Sequence, residues 1–177
     1  MKAFPKAKFT RPELLDHPNI PKPMHLTNPR SLLGKEWWDT NRYKAYAENN
    51  QCCWACGVHR QRAEYHQWLE GHESYRIDYA NGRMELIEIV ALCHACHNFI
   101  HDGRMAAMVD KGQMEGDKME SIMTRGLALL QEAGYPAYEH APWNGEIADW
   151  GEWRMIIEGK EYEGKFASYH AWKGHFS

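Results

Sequence analysis

Apolar and polar positions change rhythm several times along the chain. From Lys35 to about Asn49, Trp37, Trp38, Tyr43, Ala45 and Tyr46 form one stripe with Arg42 and Lys44 beside it, which predicts a helix. Residues 63–70, AEYHQWLE, and 84–92, MELIEIVAL, read as strands, and Asn81-Gly82 before the second is a hairpin turn signal. Met119, Ile122, Met123, Leu127 and Leu130 recur at helical spacing and predict a core-facing helix over Lys118–Ala133. Asp117 suits its cap, Glu120 completes a capping box, and Gly134 with Pro136 ends it. Near the C-terminus WRMII and EYEG predict a hairpin turning at Gly159-Lys160. Prolines at 5, 12, 18, 21, 23 and 29 interrupt any period before residue 35 and predict an extended arm.

These elements predict an α+β protein in four segments. They are a basic, proline-rich arm over 1–35, a helix over 36–51, a central unit over 52–103, and a helical and β-hairpin extension over 104–177. The 177 residues are 44% hydrophobic, enough for a packed core. No apolar run is long enough to span a membrane. The N-terminus MKAFPKAKFTRPELL has charges and prolines where a signal peptide needs an apolar stretch, so the expected compartment is the cytoplasm.

Charge is unevenly distributed. The net of −3 resolves into +4 over residues 1–50, −2 over 51–101 and −5 over 102–177. A polyanion would meet the basic front first. Arg60, Arg62, Arg76, Arg83 and Arg104 flank the central unit as candidate phosphate contacts.

The cysteines change the picture most. Four of the five form two CxxC pairs, Cys53/Cys56 and Cys93/Cys96. In a reducing compartment two such pairs point to an all-cysteine, structural zinc site, with thiol redox chemistry as the weaker rival. Cys52 is left over. The second pair lies in CHACHNFIH, where His97 and His101 are four apart and neighbours on a helix. His72, in LEGHESY, offers a third ligand for a divalent ion with positions left for water and substrate. His94, inside the second CxxC, is expected to face solvent. His66 shares alternation with His72 and is a weaker candidate for the same site.

The stretch LEGHESY…NGRMELIEIVALCHACHNFIH resembles the ββα-metal core of the His-Asn-His (HNH) endonucleases, in the subgroup braced by two CxxC pairs. The resemblance covers residues 52–103, under a third of the chain. It implies a zinc-braced ββα-metal fold and metal-dependent hydrolysis of phosphodiester bonds, with double-stranded DNA the expected substrate. It implies structural Zn²⁺ on the four cysteines, and catalytic Mg²⁺, Mn²⁺ or another divalent ion on His97, His101 and His72. Glu73 then occupies the general-base position, where the family commonly has histidine. In the other alignment His72 is the base and Glu70 or Glu73 binds metal. The family's central asparagine falls near Glu88. These departures keep open a second reading, a non-enzymatic zinc module that binds nucleic acid or protein.

Overall fold

The computed structural model describes residues 4–135 and 145–176. Along the chain lie α1 (Pro29–Glu48), β1 (Glu70–Asp78), β2 (Arg83–Leu92), α2 (His94–Ile100), α3 (Asp102–Asp110), α4 (Gly116–Glu132), β3 (Arg154–Ile157), β4 (Lys160–Glu163) and α5 (Tyr169–Phe176). The class is α+β: among the described residues, five α-helices and a mixed sheet in the order β1-β2-β3-β4. Four residues join β1 to β2, a connection that permits only an antiparallel pair. β3 runs parallel to β2, with Arg83 opposite Arg154, and antiparallel to β4, with Ile157 opposite Lys160. No helix among the described residues is long and apolar enough to cross a membrane.

The chain folds into two units, each assembled from three separate stretches. The first comprises Met1–His17, Arg42–His72 and Ile89–His140. Its core gathers Leu15, Val90, Leu92, Phe99, Met105, Ile122 and Leu130, all buried. Asn49 is fully buried and pays for its desolvation with backbone partners. Its Oδ1 accepts from the Lys8 and Phe9 amides at 2.8 and 3.2 Å, and its Nδ2 donates to Phe9 O and Cys53 O. Gly126 of α4 lies against Phe99 of α2: a Cβ there would stand 2.1 Å from the ring.

The second unit comprises Pro18–Asn41, Glu73–Glu88 and Ala141–Ser177. Met24, Met84, Trp153, Met155 and Ile157 form its core, with Trp37 packed against them. The β1–β2 turn holds as Asn81-Gly82 predicts. Asn81 donates to both carboxylate oxygens of Asp78, at 3.1 Å from its amide and 2.7 Å from its side chain. Gly82 takes φ 64°, and a Cβ would meet Ala148 at 2.9 Å.

Several elements depart from the sequence reading. The first strand starts where it was expected to end, at Glu70 rather than near Ala63. Tyr65, at φ 74°, turns the chain out of extended geometry, so residues 63–69 stay irregular. The strand forms over the more polar EGHESYRID because pairing with β2 outweighs its own propensity. The arm contains 3₁₀ turns at Pro12–Leu15 and Lys22–Met24, and α1 begins earlier than expected, at Pro29. Asn28 Oδ1 accepts from the Ser31 amide at 2.9 Å, an N-cap contact with proline following it. Gly34, at φ 86° and ψ 173°, breaks α1 into two helical pieces. α4 begins at Gly116 with Glu115 at the cap position and no side-chain cap, so Asp117 sits inside the helix. Gly134 ends it at φ 79°, and Pro136 lies outside the described residues. The C-terminal hairpin turns one residue early, at Glu158-Gly159, both at positive φ as a tight hairpin requires. α3 and α5 were not anticipated.

Candidate metal centre

The first unit brings Cys53, Cys56, Cys93 and Cys96 together, their sulfurs all within 4.8 Å of one another. A tight turn presents the first pair. The Cys53 amide donates to Val58 O and the Gly57 amide to Cys53 O, both at 2.9 Å. Gly57 takes φ 73°, and a Cβ would stand 2.8 Å from Thr10. Trp54 then ties the turn to the end of β2, its amide donating to Ala91 O at 2.8 Å. Cys93 occupies the cap position of α2 and Cys96 its first turn. Cys56 Sγ and Cys93 Sγ are 3.8 Å apart. A tetrahedron with metal–sulfur bonds of about 2.3 Å has an edge of about 3.8 Å, so the spacing fits zinc.

Burial pushes the Cys53 thiol up, while sulfur hydrogen bonds from Cys53, Cys93 and Cys96 hold the Cys56 thiol well below its usual range. Arg125 Nη2 lies 3.7 Å from Cys56 Sγ, and Nη1 pairs with Glu64 at 3.1 Å. A guanidinium there offsets the charge of a tetrathiolate. Cys52 stands apart, its sulfur 3.6 Å from Pro5 O.

Three histidines form a second cluster. His72 is the third residue of β1, His97 lies in α2, and His101 ends that helix. Their ring centres are 5.2 Å (72–97), 5.0 Å (72–101) and 4.8 Å (97–101) apart, and one ligand nitrogen from each lies within 4.8 Å of the others. His72 is 3% exposed, and both its ring nitrogens are buried without a hydrogen-bond partner. An orphaned buried polar atom costs about 1–3 kcal/mol, and a coordinated ion would satisfy one of these. Burial, then the charges of His17, His97 and His101, hold His72 well below the usual histidine range. Burial, then His97, His17 and Arg104, take His101 down to about 4. Both rings are therefore neutral at pH 7, the form that ligates metal. The donor set and the orphaned nitrogens fit a divalent ion.

Glu70 is the carboxylate that meets the histidines. It sits two residues before His72 and shares its strand face. Its Oε2 contacts His97 Nδ1. Accepting that N–H fixes the tautomer of His97 and leaves Nε2 for a metal, an arrangement common around metal-bound histidine. Burial alone would raise the Glu70 pKa. The hydrogen bonds of His97 and His94 outweigh it and hold the carboxyl at about 2.

The opposite oxygen of Glu70 meets a third cluster. Oε1 lies 2.9 Å from His94 Nδ1 and 2.9 Å from His66 Nε2. His94 therefore turns inward, where the sequence suggested solvent. His66 precedes β1 rather than alternating with His72 along it. In the cluster its ring also stacks on Trp68, with ring centres 3.6 Å apart. The signal available in the sequence was density alone: three more ligating side chains within thirty residues.

Glu73 follows His72 directly in β1, and neighbouring strand side chains leave opposite faces. His17 instead lies beside the cluster, its ring centre 4.8 Å from that of His72. Of the flanking arginines, Arg76 pairs with Glu85 and Arg83 with Glu161. Arg60 and Arg42 line a groove of about 530 Å³ with Tyr43, Tyr46 and Trp68. Tyr43 and Trp68 are more than half exposed, and the Arg42 guanidinium sits 4.2 Å from the Tyr43 ring centre. No protein family, curated protein or solved structure matches the chain.

Proposed function

We propose that the protein is a metal-dependent endonuclease, with His72, His97 and His101 holding the catalytic divalent ion and the four cysteines a structural zinc. The observation that carries this reading is His72, buried with two orphaned ring nitrogens against the rings of His97 and His101. An ion bound there supplies Lewis-acid stabilisation of charge on phosphoryl oxygens. Glu70 orients His97. The general-base role moves from Glu73 to His17, because strand alternation turns Glu73 away while the His17 ring lies next to His72. The groove with Arg42, Arg60, Tyr43 and Trp68 combines cations with exposed rings, the pairing that holds a nucleic-acid strand by charge and stacking. The resemblance to HNH endonucleases points to the same reaction.

The test is plasmid cleavage with Mg²⁺, Mn²⁺, Ni²⁺ or Zn²⁺, comparing wild type with His101→Ala and His17→Ala. Metal-dependent nicking or linearisation that disappears in His101→Ala, with cysteine-bound zinc retained, supports the nuclease. A zinc-loaded wild type that cuts no DNA or RNA under any metal ends it, and leaves a zinc module that binds through the groove.

A further inference from the structure

We infer that His66, Glu70 and His94 hold a second divalent transition-metal ion, apart from any ion on His72, His97 and His101. The ligand atoms are His66 Nε2, Glu70 Oε1 and His94 Nδ1.

The three atoms form a closed triangle, with sides of 2.8 Å (His66–His94), 2.9 Å (His66–Glu70) and 2.9 Å (His94–Glu70). Each side has hydrogen-bond length, yet hydrogens cannot satisfy all three. An ionised carboxylate oxygen only accepts, and a ring nitrogen at a given moment either donates or accepts. If both nitrogens donate to Oε1, two N–H groups face each other across 2.8 Å. If only one donates, the lone pair of the other faces the lone pairs of Oε1. One side is repulsive in every arrangement. A cation capping the triangle from one side, about 2.0–2.2 Å from each atom, removes the conflict, because all three atoms then present lone pairs to it.

The surroundings suit an ion. The side chains are 14%, 22% and 20% exposed, mostly buried but within reach of solvent. The two rings are inclined at 63°, so their nitrogens converge rather than stack. Two imidazoles and a carboxylate favour Zn²⁺, Co²⁺ or Ni²⁺ over Mg²⁺ or Ca²⁺, and three protein ligands leave a position for water. The site is distinct from the first because Glu70 uses different oxygens. Oε1 faces this triangle and Oε2 faces His97. One carboxylate thus ligates here and orients a ligand there. Lys118 works against the ion: its Nζ lies 3.3 Å from His94 Nε2, and 4.5 Å from the Tyr65 ring centre.

The site does not depend on nuclease activity, and its test counts metal. The full chain is dialysed against buffered free Zn²⁺, and bound zinc is measured for wild type, His66→Ala, His101→Ala and the double variant. Wild type should bind one chelator-resistant equivalent and two exchangeable ones. His66→Ala and His101→Ala should each lose one exchangeable equivalent, and the double variant both. Lys118→Met should tighten binding. Histidine ¹⁵N NMR of wild type covers a variant that fails to fold. Added Zn²⁺ should shift His66 Nε2 and His94 Nδ1 to metal-bound values. Unchanged stoichiometry in a folded His66→Ala, or protonated nitrogens at both positions in zinc-saturated wild type, overturns the proposal.

Discussion

The cysteine cluster and the histidine clusters share one short segment, residues 93–101, and differ in how they are completed. Cys93 and Cys96 find their partners in a second CxxC turn that mirrors them. His97, His101 and His94 find theirs in the first residues of β1 and the irregular chain before it. The cysteine set offers four ligands, which would fill a tetrahedral site and leave no open position. Each histidine set offers three and would leave room for a further ligand. One helix therefore serves both purposes: its start is anchored by sulfur, and the turns that follow carry nitrogen to the open sites.

The largest expected effect falls on the closed side. Cys96→Ser would remove a ligand from the zinc that the four cysteines are proposed to hold, and such binding is typically worth about 10–16 kcal/mol, against a net domain stability of about 5–15 kcal/mol. The first unit should lose cooperative thermal unfolding by circular dichroism, as should wild type stripped by a strong chelator. A variant that melts within a few degrees of wild type would show that the cysteines carry no structural metal.

On the open side, the proposed nuclease reading predicts that His101→Ala leaves the melting transition nearly in place while lowering cleavage by about 10³-fold, which is about 4 kcal/mol of transition-state stabilisation. Equal losses of stability and activity would erase the division of labour between the clusters.

Gly126→Ala addresses the helix that both clusters share. Its Cβ would overlap the Phe99 ring, which is fully buried between His97 and His101 in sequence. Overpacking costs about 1–3 kcal/mol, against a gain in helix propensity of about 1 kcal/mol. Denaturant titration should show net destabilisation, together with weaker metal binding at the histidines because α2 must shift. A more stable variant with intact binding would mean that α4 does not position α2.

Glu70→Gln is the mildest and the most discriminating. It keeps the shape, removes the charge, and should weaken metal binding by about 10–100-fold. Glu73→Gln, on the other strand face, should leave it unchanged in the same calorimetric titration. Equal effects from the two would place the carboxylates on one face, against the register of β1.

Much of the cysteine side could be read from spacing, because a CxxC turn is local: two thiolates three residues apart converge whatever the rest of the chain does. The i, i+4 spacing of His97 and His101 is local in the same sense. The sequence also offers His72 as their partner, although the strand that carries it begins later than the pattern suggests. Glu70 was visible only as an alternative ligand, and its contacts to His94 and His97 were not visible at all. His17 carries no signal in the sequence, since it lies fifty-five residues from His72 in a proline-rich stretch without periodicity.

The chain's own pattern thus determined the α+β class, the α4 stripe except for Leu127, which the fold leaves exposed, the Asn81-Gly82 turn and the two ligand pairs, each set by interactions within a few residues. The third cluster, the inward turn of His94 and the role of Glu70 depend on where β1 begins and which face it presents. Tyr65 at positive φ and the pairing with β2 decide that. A shift of one residue in that strand would send Glu70 and His72 to the other face and Glu73 to theirs. Strand register is set by contacts between segments distant in sequence, and no local pattern in EGHESYRID encodes it.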